Sequence, residues 1–414
     1  MKILRAMVSL LACGLLLSAI VVSTAAAGGS TYSRFGVGDL VRYGGSRLDG
    51  MGGAGIALSG DGFLNLLNPA AIGKIKYTRF AGGFEFTNFS STDALGSGRF
   101  ARGNFKSASF GIPIDKEYEI AVLLEASPYS NVNYATQARD SVVKQDFYGT
   151  GGLSLLSLGA SVSPANKLTL GAKLNYVHGR IRQAGNFTFL DASFTNSEIQ
   201  RSDFYSGFNV TLGGLYEGVG DLLGSPALQP LTVGFILSTP TTLSVNRESV
   251  LTTSSSTDTT YTIAGKTDLP LAYGLGLSYL LSNRYVITAD VYHQQWQNAK
   301  FQGNVLPELR NSTQIGAGIE ALPGGPLESF WKRVAYRGGF YYNATSYVFN
   351  GTPINELFVT GGLGIPIGPE ARMDVNLHLG TRGTTSNNLQ RDTILRLTVS
   401  VSASEVWFMK VEDE

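Results

Sequence analysis

The feature that most constrains the fold is a strict alternation of apolar and polar residues, seen clearly in the segment "RMDVNLHLG" at 372–380. The two alternating sets are Met373, Val375, Leu377 and Leu379 on one side and Arg372, Asp374, Asn376 and His378 on the other. Successive side chains of a β-strand point to opposite faces, so this strand has one apolar and one polar face. A soluble sandwich would bury the apolar face, whereas a membrane barrel would turn it to lipid.

The N-terminus has the pattern of a secretory signal peptide. Lys2 and Arg5 precede an apolar run over 6–22, and the following "STAAAGG" contains an A-x-A cleavage pattern at 25–27. We predict a signal peptide over 1–27 and a mature chain from Gly28. Cys13 lies inside the apolar run, so the mature chain contains no cysteine and cannot form disulfides; a lipoprotein cleavage site before Cys13 is the alternative.

Composition argues against a soluble enzyme. Charged residues make up 15% of the chain, against about 25% in soluble domains, and 51 of the 414 residues are glycine. The net charge of +1 gives no basis for binding nucleic acid. The mature sequence has no run of 18 apolar residues, so any membrane crossing must be made by strands.

The alternation recurs along the chain between connections of two kinds. Tight turns such as "PIDKE" at 113–117 and "GPEA" at 368–371 alternate with longer polar segments, for example at 129–144, 183–198 and 241–268. Fourteen strands fit between residues 77 and 403, with both ends on the short-turn side. The pattern predicts a 14-stranded antiparallel transmembrane β-barrel over 77–403 and a periplasmic tail over 404–414. A large soluble sandwich or propeller is the alternative.

Residues 28–76 do not alternate and are predicted to form a plug, or hatch, inside the barrel. The segment is rich in glycine, and Gly50, Gly52 and Gly55 match the G-x-G-x-x-G pattern of dinucleotide-binding proteins. No buried strand precedes these glycines and no crossover helix follows them, so that interpretation fails on context. Small residues that allow close packing inside a barrel explain the pattern better.

The stretch "GMGGAGIALSGDGFLNLLNPAAI", followed by the first strand, resembles the N-terminal hatch of the FadL/TodX family of outer-membrane transporters. The resemblance implies a fourteen-stranded barrel closed by the hatch, with Asn68, Pro69 and Ala70 as the hatch motif. It also implies sideways release of the substrate into the membrane through a gap at a kinked third strand. We place that strand from Tyr118 to Pro128, with Pro128 as the candidate kink. Asn68 and Pro69 could instead simply end a hatch turn.

Two sets of residues are candidates for contact with a ligand. An outer capture patch would consist of Phe187, Phe189, Leu190 and Phe194, although these residues could equally extend the hairpin beyond the bilayer. An anionic ligand would need a base in the lumen, and the candidates are Lys173, Arg333, Arg337, Arg372 and Arg396. Nearby acids could pair with all of these bases, so the sequence does not choose among them.

The leading hypothesis is uptake of hydrophobic or amphipathic molecules, such as long-chain fatty acids, across the outer membrane of a Gram-negative bacterium. The expected partners are the hydrophobic ligand and outer-membrane lipid. The alternative is a relative that does not transport and serves as a PorV-like shuttle or docking component of a secretion system. A continuous apolar tunnel would favour transport, and a plugged lumen with an outer apolar patch would favour docking. We predict no catalytic residues, no cofactor and no metal site. The three histidines are far apart in the sequence and form neither a set of metal ligands nor an acid–base pair.

Overall fold

The computed structural model describes residues 29–191 and 193–405. The predicted signal peptide and the end of the predicted tail lie outside the described residues. No helix in the described ranges is long and apolar enough to cross a membrane.

The N-terminal segment contains only short elements. They are a 3-10 helix at Thr31–Arg34, strand β1 at Asp39–Leu40, a helical turn at Ser46–Asp49 and a 3-10 helix at Pro69–Lys74. Many of its residues are buried, including Leu48, Met51, Ile56 and Ile72 at 0% exposure. This segment is the hatch in the description below.

The rest of the described chain forms a closed barrel of fourteen antiparallel strands, three of which are interrupted and therefore carry two labels. The first six barrel strands are β2 (Thr78–Thr92), β3 (Ser97–Asp115), β4 with β5 (Ile120–Pro128 and Ser130–Arg139), β6 (Val143–Ala165), β7 (Leu168–Phe189) and β8 (Ser197–Tyr216). The next four are β9 with β10 (Leu231–Ser238 and Thr241–Thr253), β11 with β12 (Thr257–Leu269 and Ala272–Leu281), β13 (Tyr285–Gln294) and, after the small hairpin β14–β15 (Lys300–Phe301 and Asn304–Val305), β16 (Ser312–Ala321). The last four are β17 (Ala335–Phe349), β18 (Thr352–Pro366), β19 (Ala371–Gly383) and β20 (Arg391–Glu405).

Closure comes from pairing of the first and last barrel strands, since β2 pairs with β20 from Thr78 opposite Glu405 to Thr92 opposite Arg391. The alternation seen in the sequence separates outside from inside. Leu377 and Leu379 are 42% and 55% exposed on the outer surface, whereas Asp374 and His378 are 3% and 2% exposed and face the lumen. An apolar outer band around a polar interior is the pattern of a membrane-spanning barrel.

The connections differ from the prediction in one respect. The polar segments predicted as long outer loops are largely strand: residues 241–268 form the β10–β11 hairpin, closed by a turn around residues 254–256, and 129–144 form β5 and the start of β6. Neighbouring strands continue to pair above the membrane. The polar composition of these segments therefore reflects contact with water and not an absence of strand structure. The longer inner connections at 217–230 and 322–334 contain short helices at Val219–Leu222, Pro226–Leu228 and Phe330–Arg333.

Candidate functional site

The Asn-Pro-Ala motif joins the inner part of the hatch to the barrel wall. Asn68 is fully buried, and its Nδ2 donates to the carbonyls of Ile56 at 2.7 Å and of Gly214 in β8 at 3.1 Å. Its Oδ1 accepts from the amide of Ala70 at 3.0 Å, which caps the 3-10 helix that starts at Pro69. Asn68 therefore both ends the turn and bonds the wall, the two roles that the sequence left as alternatives.

Wall glycines allow the motif to approach this closely. A Cβ on Gly213 would lie 2.1 Å from Asn68 Oδ1, and one on Gly171 would lie 2.4 Å from the amide nitrogen of Ala70. Such contacts are far inside van der Waals distance, so any larger residue at either position would push the hatch away.

The glycine-rich stretch of the hatch packs against the opposite wall. Gly52 has a φ of +69°, and a Cβ there would lie 2.3 Å from the carbonyl oxygen of Phe340 in β17. The amide of Gly52 donates to Thr360 Oγ1 at 2.9 Å, and the Thr360 hydroxyl donates to the carbonyl of Gly50 at 3.0 Å. The G-x-G-x-x-G pattern in this chain thus serves close backbone packing within the barrel.

Asp290 of β13 is the main polar anchor of the hatch. Its carboxylate is buried and accepts from the amides of Gly55 at 2.7 Å and Ile56 at 3.0 Å. Arg42 of the hatch donates to the same carboxylate at 3.1 Å and to the carbonyl of Gly53 at 3.0 Å. A buried carboxylate with three donors is well satisfied, so this contact holds the middle of the hatch in place.

Further ion pairs tie the hatch to the wall along its length. The hatch residues Asp39, Arg47, Asp49 and Lys74 each have at least one partner of opposite charge on a barrel strand or an inner turn. The pairs are Asp39 with Arg382 at 3.0 Å, Arg47 with Glu320 at 2.5 Å, Asp49 with Lys106 at 3.9 Å, and Lys74 with Glu119 at 2.6 Å and with Glu217 at 2.9 Å. The Asp49 carboxylate also lies 3.3 Å from His378 Nε2. Buried pairs of this kind hold the hatch in one position relative to the barrel wall, because moving the hatch would leave charges unpaired in the lumen.

The barrel wall is interrupted at the third barrel strand. The β3 strand pairs with β4 between Ala108 and Asp115, but its outer part, residues 97–107, pairs only with β2. The β4 strand pairs with β6 as far as Pro128. The chain then continues as β5 from Ser130, and β5 pairs with β6 but not with β3. The main-chain pairing of the wall is therefore broken between the outer part of β3 and β5, and this break in pairing is called the lateral gap below.

Two features of the sequence lie at the gap. Pro128, the predicted kink, is the last residue of β4 and supplies no amide hydrogen. On the neighbouring strand, Gly151 and Gly152 have φ of +106° and +144°, and a Cβ on Gly152 would lie 2.2 Å from the carbonyl oxygen of Ser130. The sequence reasoning missed these two glycines, although a Gly-Gly pair inside a strand is a recognised sign of a bulge.

The hatch strand β1 lies against the start of β5 at this gap. Asp39 pairs with Asn131 and Leu40 with Ser130, residues that have no ladder partner in β3 or β6. The amide of Val41 donates to the carbonyl of Tyr129 at 2.9 Å, and Ser130 Oγ donates to the carbonyl of Val37 at 2.6 Å. The hatch thus supplies the hydrogen bonds that the missing strand neighbour would have made.

Hatch residues 39–42 and Pro128 line two cavities. The first contains about 1300 Å³ of empty space, open solvent included, and its apolar lining includes Tyr129, Leu155 and Tyr292. The second contains about 860 Å³ on the same measure, and most of its lining residues are polar or charged and come from the hatch, from β2 and β3, and from β16–β20. Displacing residues 39–42 would join the two cavities beside the gap.

Above the first cavity, the lumen is apolar. A buried cluster joins hatch residue Val37 to inward-facing residues of the tall outer wall and to the loop that carries β14 and β15. Its members include Val132, Tyr134, Leu153, Val177, Ile181, Tyr205, Leu243, Val245, Leu269 and Trp296. Hydrophobic side chains of the hatch and of the wall therefore pack together in this part of the lumen.

The predicted outer capture residues lie where the β7–β8 hairpin ends. Phe187 and Phe189 belong to β7, and Leu190 and Phe194 are 52% and 55% exposed in the turn. The rings of Phe189 and Phe194 stack with centroids 5.4 Å apart, so the turn presents a small apolar surface to the exterior.

Most of the lumenal bases proposed from the sequence are already paired. Lys173 binds Glu125 at 2.9 Å, Arg337 binds Glu320 at 2.8 Å and Asp374 at 2.5 Å, and Arg396 lies 3.4 Å from Glu85. Arg333 lies in the inner turn before β17 and not on the strand where the alternation placed it. Arg372 forms no ion pair within the described part of the chain. Across that part no three histidine or acidic side chains are grouped to hold a metal.

A closed barrel of fourteen strands with a hatch in its lumen defines a class: the outer-membrane β-barrels of FadL type. Within this class, the chain belongs to the BamG family, whose model matches residues 7–412. The sequence-based assignment to the FadL/TodX family was therefore right for the fold, while the family name is BamG.

Solved structures of this fold are similar over nearly their whole length. The toluene transporter TbuX of Ralstonia pickettii has a TM-score of 0.59 at 15% identity, covering 88% of this chain and 98% of its own. A FadL homologue of Pseudomonas aeruginosa has a TM-score of 0.59 at 12% identity, with 88% and 99% coverage. The monoaromatic hydrocarbon channel CymD has a TM-score of 0.57 at 15% identity, with 91% and 100% coverage. No curated protein matches the sequence.

Proposed function

We propose that this protein admits hydrophobic or amphipathic molecules through the outer membrane of a Gram-negative bacterium and releases them sideways into the bilayer. The ligand enters from the outer end, occupies the first cavity and leaves through the gap between β3 and β5. Hatch residues 39–42 move aside during passage.

The single observation that carries the proposal is the break in wall pairing beside the two cavities. β3 and β5 share no ladder, and the short hatch strand β1 pairs with β5 there through Asp39 and Leu40. Lateral release suits such a ligand, because an apolar chain gains nothing by entering periplasmic water. Proteins of the same fold are described as toluene transporters and hydrocarbon channels, which supports an apolar cargo.

A disulfide across the β1–β5 contact tests the proposal. Leu40 and Ser130 are directly opposite each other in an antiparallel pair, a geometry that suits a disulfide, and the predicted mature chain has no other cysteine. We expect oxidised Leu40→Cys/Ser130→Cys protein in liposomes to lose transfer of a fluorescent fatty acid and of toluene, and a reductant to restore both.

The matched control is Ser278→Cys with Thr288→Cys, a directly opposed pair on β12 and β13, away from the gap. This pair should leave transfer unchanged in either redox state. Undiminished transfer by the oxidised Leu40/Ser130 variant would contradict release past the hatch strand.

A docking role is the second candidate, favoured by the free edge of β11. Residues 257–266 pair with β10 on one side and with no strand on the other among the described residues, and Tyr261 and Ile263 are 73% and 85% exposed. An exposed edge strand can receive an extended segment of another protein.

Photocrosslinking in cells tests the docking role. A crosslinking amino acid at Thr260 on the β11 edge should give a discrete adduct with one protein, and the same probe at Leu95, an exposed tip residue of the β2–β3 hairpin, should not. Adducts that are the same from both positions would count against a specific partner at β11.

A further inference from the structure

The outer face of β7 changes from apolar to basic partway along the strand. Leu174 and Tyr176 are followed on the same face by His178 and Arg180, while the intervening Val177 is fully buried and faces the lumen. Leu174 is 48% exposed, and His178 and Arg180 are also exposed. Because aromatic residues mark the border between hydrocarbon and water in barrels of this kind, His178 and Arg180 lie at the level of the lipid head groups.

The basic residues belong to the outer leaflet of the membrane. β7 begins at Leu168, directly after the tight inner turn that follows β6. The strand from Leu168 to His178 is about 33 Å long at 3.3 Å per residue, and a tilt of about 40° reduces this to about 25 Å across the membrane. That is the height of the apolar band of such a barrel, so His178 marks its outer edge.

Exposed aromatic rings orient both basic side chains. The Tyr176 ring lies 4.9 Å from the ring of Phe208 on β8 and 5.3 Å from the ring of His178. The Arg180 guanidinium lies over the ring of Phe204, 5.8 Å from its centroid. These contacts hold His178 and Arg180 against the outer wall, and they supply no counter-charge.

Arg180 and His178 have no carboxylate oxygen within 4 Å among the residues that the structure describes. Acids on this face lie further out or on other strands: Glu198 at 4.0 Å from Arg182, Glu248 in the same outer row as Arg182, and Asp268 on β11. The Arg182 guanidinium also donates to Gln200. Arg182 is therefore engaged, whereas Arg180, one row closer to the hydrocarbon, keeps its charge and its donors available.

Two serine hydroxyls flank the imidazole. His178 is directly opposite Ser154 on β6 and Ser206 on β8, and both serines are partly exposed. Neither hydroxyl has a hydrogen-bond partner within the described part of the chain. Directly opposed side chains on one face are about 5 Å apart, so the two hydroxyls, the imidazole and the guanidinium form one group of donors. Such a group matches the oxygens of a phosphate.

We propose that the outer face of β6, β7 and β8 binds a phosphate group of a glycolipid in the outer leaflet. Arg180 supplies the counter-charge, and His178, Ser154 and Ser206 supply further hydrogen bonds. The acyl chains of the same lipid lie along the apolar row below Tyr176, which joins the site to the lipid-facing band. The inference goes beyond passage of cargo and rests only on the proposed location in the outer membrane.

Native mass spectrometry of the purified full-length protein in an uncharged detergent tests the site. The probes are lipid A with two phosphates, the same lipid after removal of both phosphates, and phosphatidylglycerol. Wild-type protein should retain the phosphorylated lipid A at about tenfold lower concentration than the dephosphorylated form. Phosphatidylglycerol should bind more weakly than phosphorylated lipid A.

Substitutions assign the preference to Arg180. Arg180→Gln should remove most of the preference for the phosphorylated lipid, and Arg180→Lys should retain part of it. Lys144→Gln is the matched control, because it removes one positive charge from the far outer end of β6, where Lys144 lies 3.0 Å from Asp146. Slow migration of the unheated barrel on a gel verifies that each variant is folded.

A photocrosslinking amino acid at Ser206 extends the test to cells. It should give an adduct with glycolipid, and an adduct with a protein in its place would overturn the inference. Equal retention of the two forms of lipid A by wild-type protein, or an unchanged preference in Arg180→Gln, would overturn it as well. Phosphatidylglycerol bound as tightly as phosphorylated lipid A would remove the glycolipid assignment. All of these outcomes leave the proposed passage of hydrophobic cargo untouched.

Discussion

Asn68 of the hatch donates to the main-chain carbonyl of Gly214 in β8 at 3.1 Å, so one side chain fastens the hatch to the sixth barrel strand. The same amide nitrogen donates to Ile56 within the hatch at 2.7 Å, and Gly213 leaves the space for the approach. Asn68→Ala leaves two buried carbonyls unpaired and should destabilise the docked hatch by about 2–4 kcal/mol.

The measurement for Asn68→Ala is urea-induced release of the hatch, followed by protease cleavage within residues 29–77. Asn343→Ala is the control, because Asn343 donates to Glu356 on the neighbouring wall strand at 2.9 Å. Cleavage of Asn68→Ala at the wild-type rate would show that the motif does not hold the hatch.

Asp290 and Arg42 form a buried charge pair whose two partners are expected to be coupled. Asp290→Asn leaves Arg42 without its counter-charge and should cost about 3–5 kcal/mol, whereas the double variant with Arg42→Met should recover part of that loss. The same protease assay on both single variants and the double variant measures the coupling. Strictly additive effects would mean that the pair contributes nothing as a pair.

Two adjacent glycines separate backbone strain from steric overlap. Gly52 and Gly53 have nearly equal φ, +69° and +67°, but the nearest atom to an added Cβ is 2.3 Å away at Gly52 and 3.5 Å away at Gly53. Gly53→Ala should therefore cost only the left-handed backbone strain, about 1–2 kcal/mol. Gly52→Ala should cost more, because it also displaces the hatch from Phe340; equal unfolding midpoints for the two variants would contradict this.

The apolar turn at the end of the β7–β8 hairpin is proposed to capture ligand from the exterior. Leu190→Ser with Phe194→Ser should raise the half-saturating concentration of a hydrophobic substrate several-fold, because the exposed apolar surface is reduced. Barrel stability should not change. Leu95→Ser is the control, since Leu95 is 98% exposed at another hairpin tip. An equal effect of the control would indicate general surface hydrophobicity and not a capture site.

Much of the fold could be predicted from the sequence because the bilayer imposes a simple rule on every strand. Leu377 and Leu379 must face lipid while Asp374 and His378 face the lumen, and this repeats often enough to count fourteen strands. This alternation is lost above the membrane, because both faces of a strand contact water there. The β10–β11 hairpin was therefore predicted as a loop.

The site was less predictable, since it depends on which groups meet across the lumen. The alternation identified Arg337 and Lys173 as bases that face the lumen. Only the structure shows that each of them already forms an ion pair with an acidic residue of the wall. Similarly, the sequence predicts a kink at Pro128, whereas the positive φ of Gly151 and Gly152 on the next strand is seen only in the structure.

The pairing of Asp39 and Leu40 with β5 means that the hatch is part of the barrel wall as well as its plug. If that segment left the barrel entirely, the start of β5 would present bare main-chain donors and acceptors to hydrocarbon, where water cannot satisfy them. If the proposed lateral release takes place, residues 39–42 should therefore move aside only briefly and stay close to β5, because the exposed main-chain groups favour return to the paired state.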